Sequence, residues 1–335
     1  MPLLQTQVID VLKTLFVPNE KKMLLSLGSL NEATVEGNEV HISIMMPQLP
    51  EETLSAVKTL IERKLKDLGA ETVDVEFTFK RQQNIKYIVA IGSGKGGVGK
   101  STVTTNLAVA LAKSGKKVGL LDADIYGPNI PLMFGINELP RVNEERRMIP
   151  IEKFGVKIMS IGFLLEGSST PVIWRGPLAT KALEQFYNDV EWGDLDFLLI
   201  DLPPGTGDVS LTIAQSLPTK YGIIVTTPQD VSVLDASKAL SMFQKMNINV
   251  IGVVENMSYF ICPKSGEEVE IFGKGGGDRL SLEFNVHMLG KVPMEVSVRE
   301  GGDSGAPAVL FEGDSKSKAA FDEIARNVTE YLEAM

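Results

Sequence analysis

The octapeptide Gly94-Lys95-Gly96-Gly97-Val98-Gly99-Lys100-Ser101 has the spacing G-x-x-x-x-G-K-S, a pattern suited to holding a polyphosphate. Glycines let successive backbone N–H groups curl round phosphate oxygens with no Cβ in the way. A helix opening at the end of the loop adds the positive end of its dipole. Lys100 supplies a point charge for the β- and γ-phosphates, and the Ser101 hydroxyl can ligate Mg²⁺. Thr102 follows, with an N–H or hydroxyl in reach of the α-phosphate.

Three acids extend this chemistry. Asp122-Ala-Asp124 closes an apolar stretch that includes Leu120 and Leu121. In an open parallel sheet the C-terminal strand edge is where ligands bind, and alternation along an extended segment would point both carboxylates the same way. Asp122 is expected to hold a Mg²⁺-bound water and Asp124 to orient the attacking water. Phe197-Leu-Leu-Ile-Asp201 is an apolar strand tipped by an acid that would reach the same Mg²⁺. Any of these acids alone reads equally well as a cap or loop acid. Their order after the phosphate loop is what ties them to one nucleotide-binding edge. Leu202-Pro203-Pro204-Gly205-Thr206-Gly207-Asp208 then suits a switch loop sensing the γ-phosphate.

Composition narrows the function classes. The chain has 335 residues, 44% hydrophobic, with 33 Lys+Arg against 43 Asp+Glu and a formal charge of −10. That length suggests about two domains, and disorder, collagen and coiled coil are excluded for the whole chain. The acidic balance argues against a nucleic-acid partner bound through bulk charge. A single cysteine, Cys262, excludes an internal disulfide framework, and with only His41 and His287 there are too few ligands for a Cys/His zinc site. No export signal opens the chain and no apolar run approaches the ~18–20 residues of a membrane helix. The expectation is a soluble cytoplasmic protein with no membrane partner.

The elements that must position these residues divide in two. Residues 1–80 read as a small α+β domain ordered helix, hairpin, helix, strand, with Val40, Ile42 and Ile44 alternating on one strand and Val73, Val75, Phe77 and Phe79 on another. Residues 81–86 form a polar linker. From residue 87 to 335, strands become continuous apolar runs at Tyr87–Ile91, Lys117–Leu121, Phe197–Ile200, Gly222–Val225 and Val250–Val254, alternating with helices at 101–113, 178–189, 209–217 and 232–246. This predicts an α/β fold with a doubly wound parallel sheet. The last helix buries Phe321, Ile324, Ala325, Val328, Tyr331 and Leu332; its other face carries Asp322, Glu323, Glu330 and Glu333, the wrong sign for a membrane-surface helix.

Lys95 completes the motif K-G-G-x-G-K-S, which resembles the deviant Walker A loop of the MinD/ParA/nitrogenase iron protein class of P-loop NTPases. The resemblance implies that Lys95 crosses a dimer interface to the partner's nucleotide; a solvated surface lysine is the alternative. The wider set resembles the Mrp/ApbC family of P-loop ATPases, iron–sulfur cluster carrier and assembly proteins. It comprises Gly92–Ser101, Asp122-Ala-Asp-Ile-Tyr-Gly-Pro-Asn129, Trp174-Arg-Gly-Pro177, Asp201–Asp208, Glu255-Asn-Met-Ser258, and Val298-Arg-Glu300 with Asp303. The small N-terminal domain resembles the MIP18-related unit found in many members. The family implies ATP and Mg²⁺ binding, slow ATP hydrolysis, a homodimer, and transfer of an iron–sulfur cluster to apo-protein clients with assembly factors as partners. It also implies that Asn256 contacts adenine and that the segment around Pro293 lines the base pocket.

The chain departs from that family at one point of chemistry. Where the pattern is C-P-x-C, this sequence has Cys262-Pro263-Lys264-Ser265. A cubane cluster takes four thiolates, and a two-fold dimer would supply two, both Cys262. Small-molecule thiols, a partner protein or oxygen ligands would complete it; a [2Fe–2S] form, or an inert Cys262 and no cluster, are the other readings. The N-terminal domain has Pro47-Gln48-Leu49-Pro50 where a cysteine is often seen, and Val17-Pro18-Asn19-Glu20 in place of D-P-E. Three functions remain open: a cluster carrier, a MinD/ParA-like positioning ATPase, and a cluster-free adaptor that kept the ATPase switch. Arg175 is a candidate phosphate or carboxylate contact, Lys274-Gly-Gly-Gly277 reads as a turn, and neither histidine is assigned a ligand role, with His287 in a loop-like segment.

Overall fold

The computed structural model describes residues 3–18, 20–47, 49–79, 83–145, 147–164 and 176–335. Trp174 and Arg175, Asn19 and Gln48 therefore lie outside the described residues. The chain separates into two units, Met1–Gln82 and Gln83–Met335.

The first unit is built on a three-stranded sheet, Ser29–Glu36, Glu39–Met46 and Thr72–Phe79, the first pair antiparallel and the second parallel. Val40, Ile42, Ile44 and Met46 alternate into the core with Val8 and Leu12 of helix Gln5–Thr14 and with Val57, Ile61 and Leu65 of helix Glu51–Asp67. Period-two and period-3.6 apolar spacing meet there, which is what closes so small a domain. His41 sits on the polar side, its Nδ1 2.9 Å from the Asp74 carboxylate.

The second unit carries a nine-stranded sheet. Its order is Ile151–Lys153, Val156–Ser160, Val118–Asp122, Leu195–Asp201, Ile85–Ser93, Tyr221–Thr226 and Asn249–Ile261, with His287–Met294 and Glu268–Val269 both pairing with the last. Ile151–Lys153 and Glu268–Val269 are antiparallel additions; the other pairings are parallel. Helices Lys100–Lys113 and Lys316–Glu333 cover one face through Val103, Leu107, Phe321 and Val328. Helices Gly176–Asn188, Asp208–Ser216, Asp230–Lys245 and Gly276–Phe284 cover the other through Leu183, Ile213, Leu240 and Leu280. Burial on both faces explains why the central strands read as unbroken apolar runs.

Three boundaries differ from those expected. Ile85 and Lys86, assigned to the linker, open the strand Ile85–Ser93, because both lie opposite the Asp201 strand, where Ile85 pairs with Leu195. The strand expected at Val250–Val254 runs from Asn249 to Ile261, continuing through the polar Glu255-Asn-Met-Ser. His287 opens an edge strand instead of lying in a loop; its ring packs 4.9 Å from that of Tyr331. An edge position tolerates Pro293 within that strand, so its sequence does not look like a strand.

Candidate functional site: the nucleotide edge

The phosphate loop joins the C-terminal end of strand Ile85–Ser93, at mid-sheet, to helix Lys100–Lys113. Two glycines are fixed by more than the phosphate. A Cβ on Gly94 would lie 2.0 Å from the backbone carbon of Asp235, so helix Asp230–Lys245 packs directly on the loop's entry. Gly99 has φ +79°, and a Cβ there would meet the Asn256 side-chain nitrogen at 2.2 Å. Gly96 and Gly97 carry no such crowding and are exposed. Val98 is buried and its carbonyl accepts the Asn256 amide at 2.8 Å.

Lys100 is 5% exposed. Its Nζ lies 2.7 Å from Asp201 Oδ2, 3.4 Å from Asp124 Oδ2 and 3.3 Å from the Ser101 hydroxyl. Ser101 Oγ donates to the same Asp201 oxygen at 2.6 Å. Burial works against the ammonium, but Asp201 and Asp124 outweigh it, and the Lys100 pKa rises. Thr104 donates to the other Asp201 oxygen at 2.6 Å. Thr104 lies outside the G-x-x-x-x-G-K-S motif but stands one helical turn from Lys100 on the same face. Lys95 is half-buried; its carbonyl accepts the Ser93 hydroxyl at 3.0 Å, and its ammonium makes no ion pair or hydrogen bond among the described residues.

The two acids of Asp122-Ala-Asp124 do not share a partner, contrary to the simple alternation argument, because the strand ends at Asp122. Asp124 faces Lys100 and accepts the Tyr126 and Gly127 amides at 3.2 and 3.4 Å. Burial raises its pKa against the pull of Lys100. Asp122 is wholly buried and bonds to Ser160, Ile130 and Asp124. Desolvation, helped by the neighbouring Asp201, pushes its pKa up to about 8. Because the folded value lies above the unfolded one, the folded chain holds a proton that the unfolded chain releases. That stabilisation is full below about pH 4 and is lost as pH rises through about 8. Denaturant midpoints in Mg²⁺- and nucleotide-free buffer should therefore fall less steeply between pH 5 and pH 8 for Asp122→Asn than for wild type.

Beside the loop lies a cleft of about 490 Å³ lined by Thr102, Asn256 and Pro293 together with Met133, Phe260 and Val296. The two residues assigned to the base by resemblance thus line one largely apolar space next to the phosphate loop. Past Asn256 the same strand reaches a register shift, with Met257 at φ +55°, and then runs to Phe260 and Ile261. Cys262 follows immediately and starts a tight hairpin: Gly266 N–H donates to its carbonyl at 2.8 Å, and its own N–H donates to Glu267 at 2.9 Å. Hydrogen bonds from the Ser265 hydroxyl, and then from the Ser265 and Lys264 amides, lower the Cys262 pKa. No group of three or more potential metal ligands occurs among the described residues. Gly275 precedes helix Gly276–Phe284, whose Gly277 amide donates to the buried Glu255 carboxylate at 2.6 Å, so the second glycine-rich stretch is a helix start held by the sheet.

Comparison with known proteins agrees with this geometry. Residues 84–329 match the ParA family model described as NUBPL iron-transfer P-loop NTPase. The iron-sulfur cluster carrier protein of Aquifex aeolicus is 45% identical over 93% of this chain and 84% of its own length. That of Methanocaldococcus jannaschii is 51% identical over 76% of this chain and 88% of its own. Among solved structures, an Archaeoglobus fulgidus nucleotide-binding protein in complex with ADP matches with TM-score 0.60 and 39% identity, over 70% of this chain and 95% of that one. The Pyrococcus furiosus cell division ATPase MinD matches with TM-score 0.56 and 25% identity, over 73% and 99%. A MinD/ParA-type sheet, a K-G-G-x-G-K-S loop bonded to Asp124 and Asp201, and relatives of this identity lead to one conclusion: the chain belongs to the ParA family of NUBPL iron-transfer P-loop NTPases.

Proposed function

We propose that the chain is an ATP-hydrolysing carrier that takes an iron–sulfur cluster as cargo and passes it to apo-protein clients. The observation that carries this reading is a single strand, Asn249–Ile261, with Asn256 in the nucleotide cleft and Cys262 just beyond its end. The amides of residues 94–101 wrap the phosphates, Thr102 reaches the α-phosphate, and adenine occupies the cleft against Asn256 and Pro293. Lys100 swings from Asp201 to the β- and γ-phosphates. Ser101 and Asp201 offer only oxygen donors around a point where Lys100 already places positive charge, which fits Mg²⁺. When bound there, Mg²⁺ neutralises phosphate charge.

Asp124 orients a water for in-line attack on the γ-phosphorus. The water oxygen bonds to phosphorus, the bond to the β–γ bridging oxygen breaks, ADP leaves, and the water's proton passes to phosphate or solvent. The free ammonium of Lys95 is available to a second copy's nucleotide, so ATP closes a homodimer and hydrolysis reopens it. In that dimer two Cys262 thiolates hold the cluster, their charge favoured by the Ser265 hydroxyl, and ligands from a client or a small thiol complete it.

No helix among the described residues is long and apolar enough to cross a membrane, and the exposed face of helix Lys316–Glu333 carries Asp322, Glu323, Glu330 and Glu333 beside Lys316 and Arg326. The formal charge of −10 and the lone Cys262 support a cytoplasmic protein that does not bind nucleic acid through bulk charge, in a compartment where thiols stay reduced. The N-terminal unit reads as a MIP18-like accessory domain. Anaerobic reconstitution with iron and sulfide tests the cargo. Wild type should gain a visible absorption band with bound iron and sulfide, and Cys262→Ala should lose it; wild type without the band removes the carrier reading and leaves an ATPase adaptor.

A further inference from the structure

Ser160 ends the strand Val156–Ser160 and is wholly buried. Its hydroxyl donates to Asp122 Oδ2 at 2.7 Å and accepts the Gly162 amide at 2.9 Å. The same Asp122 oxygen accepts the Ile130 amide at 3.3 Å, and the other accepts the Asp124 amide at 3.2 Å. Ser160, Asp122 and Asp201 stand side by side on neighbouring parallel strands. Both Asp122 oxygens thus accept protein donors, and neither bonds to Ser101 or Lys100.

The chain leaving Asp122 carries two parts of the nucleotide edge. Asp124 comes first, facing Lys100. Asn129 and the short helix Ile130–Met133 follow, and Asn129, Leu132 and Met133 line the cleft. The segment after Ser160 backs onto the same stretch, since a Cβ on Gly162 would come within 3.2 Å of Pro128. The bonds to the Asp124 and Ile130 amides therefore fix both ends of the stretch that presents the water-orienting acid and one wall of the cleft.

We propose that Ser160 and Asp122 are positioning residues, a buried hydroxyl–carboxyl clamp that sets segment 123–133 against the bound nucleotide. The proposal rests on the reading of the cleft as a nucleotide site. It replaces the role of Asp122 as holder of a Mg²⁺-bound water with an indirect one. Without the Ser160 hydroxyl, Asp122 Oδ2 keeps only the longer bond from Ile130, and the segment can shift. A displacement near an ångström at Asp124 is enough to degrade attack geometry.

The test is steady-state phosphate release from Mg-ATP, with calorimetric ATP affinity, on the full chain and its Ser160→Ala, Ser160→Thr, Asp122→Asn and double Ser160→Ala/Asp122→Asn variants, each normalised to folded protein. Ser160→Ala should lower kcat at least about fivefold and weaken ATP about threefold, because both parts of the segment move. Ser160→Thr, which keeps the hydroxyl, should retain kcat within about twofold of wild type, and the double variant should be no slower than the slower single, as expected for one shared device. Normal turnover by Ser160→Ala, or losses that multiply in the double variant, overturns the clamp. A Ser160→Thr loss as large as that of alanine also overturns it, and this comparison remains available if alanine fails to fold. Wild type that takes up no ATP would instead remove the nucleotide reading beneath it.

Discussion

Lys100→Ala is expected to lower kcat/KM for ATP by about 10²–10³-fold or more, the range seen when a buried charge aimed at transition-state oxygens is removed. Two effects combine. The phosphates lose the ammonium of Lys100, which is buried beside Asp201 at the end of the loop. The variant also leaves Asp124 and Asp201 with no cation beside them, and their repulsion then opposes a tetra-anionic ligand. Lys100→Arg separates the two. It restores positive charge to the acids, but the larger planar guanidinium does not fit the space between Ser101, Asp124 and Asp201 as a point charge does. Arginine should recover thermal stability while leaving hydrolysis close to that of alanine. Recovery of hydrolysis by arginine would mean that charge alone, and not the shape of the cradle, sets the rate.

Asp124→Ala is expected to bind ATP with near-normal affinity and to hydrolyse it about 10²–10⁴-fold more slowly, as for loss of the group that holds the attacking water in line. Asp124 also accepts the Tyr126 and Gly127 amides, so alanine could loosen the turn that leads to the cleft wall. Asparagine keeps an acceptor for those amides. If the defect lies in water orientation, Asp124→Asn should be as slow as alanine with ATP affinity unchanged. Single-turnover phosphate release on the two variants checks this, and normal hydrolysis by either would move the water-orienting role elsewhere.

The nucleotide edge is legible in the sequence because its signals are local. The glycine pattern, the lysine–serine end and the strand-tip acids each state their chemistry within a few residues, and their order along the chain fixes which sheet edge they share. The cleft residues are legible only through resemblance: Asn256 and Pro293 lie on neighbouring strands and nothing in their spacing brings them together. The extension of strand Asn249–Ile261 past Glu255 escapes the apolar-run criterion. A buried glutamate there is satisfied by Ser258 and the Gly277 amide, and Met257 interrupts the pleat in a left-handed conformation. That extension is what places Cys262 next to the nucleotide cleft along the chain.

Tertiary partners account for what the sequence does not reveal. Gly94 reads as a phosphate-loop glycine, yet its tightest constraint is the backbone of Asp235 and Ala236, far along the chain. Asp122 reads as a metal-site acid from its place after the phosphate loop; its bond to Ser160, which spans 38 residues and crosses between strands, has no signal in the sequence. Thr104 stands one turn from Lys100, and helical spacing alone could have found it. Ser265 reads as a lost ligand, yet its hydroxyl, which accepts the Glu267 amide, and its own amide lower the Cys262 pKa.

The most direct measurement is titration calorimetry of the full chain with ATP in the presence of Mg²⁺, repeated with Lys100→Ala. The account predicts saturable uptake of one ATP per chain by wild type and none by the variant. Well-folded wild type that shows no heat of binding with either ATP or GTP, or equal binding by Lys100→Ala, would contradict it.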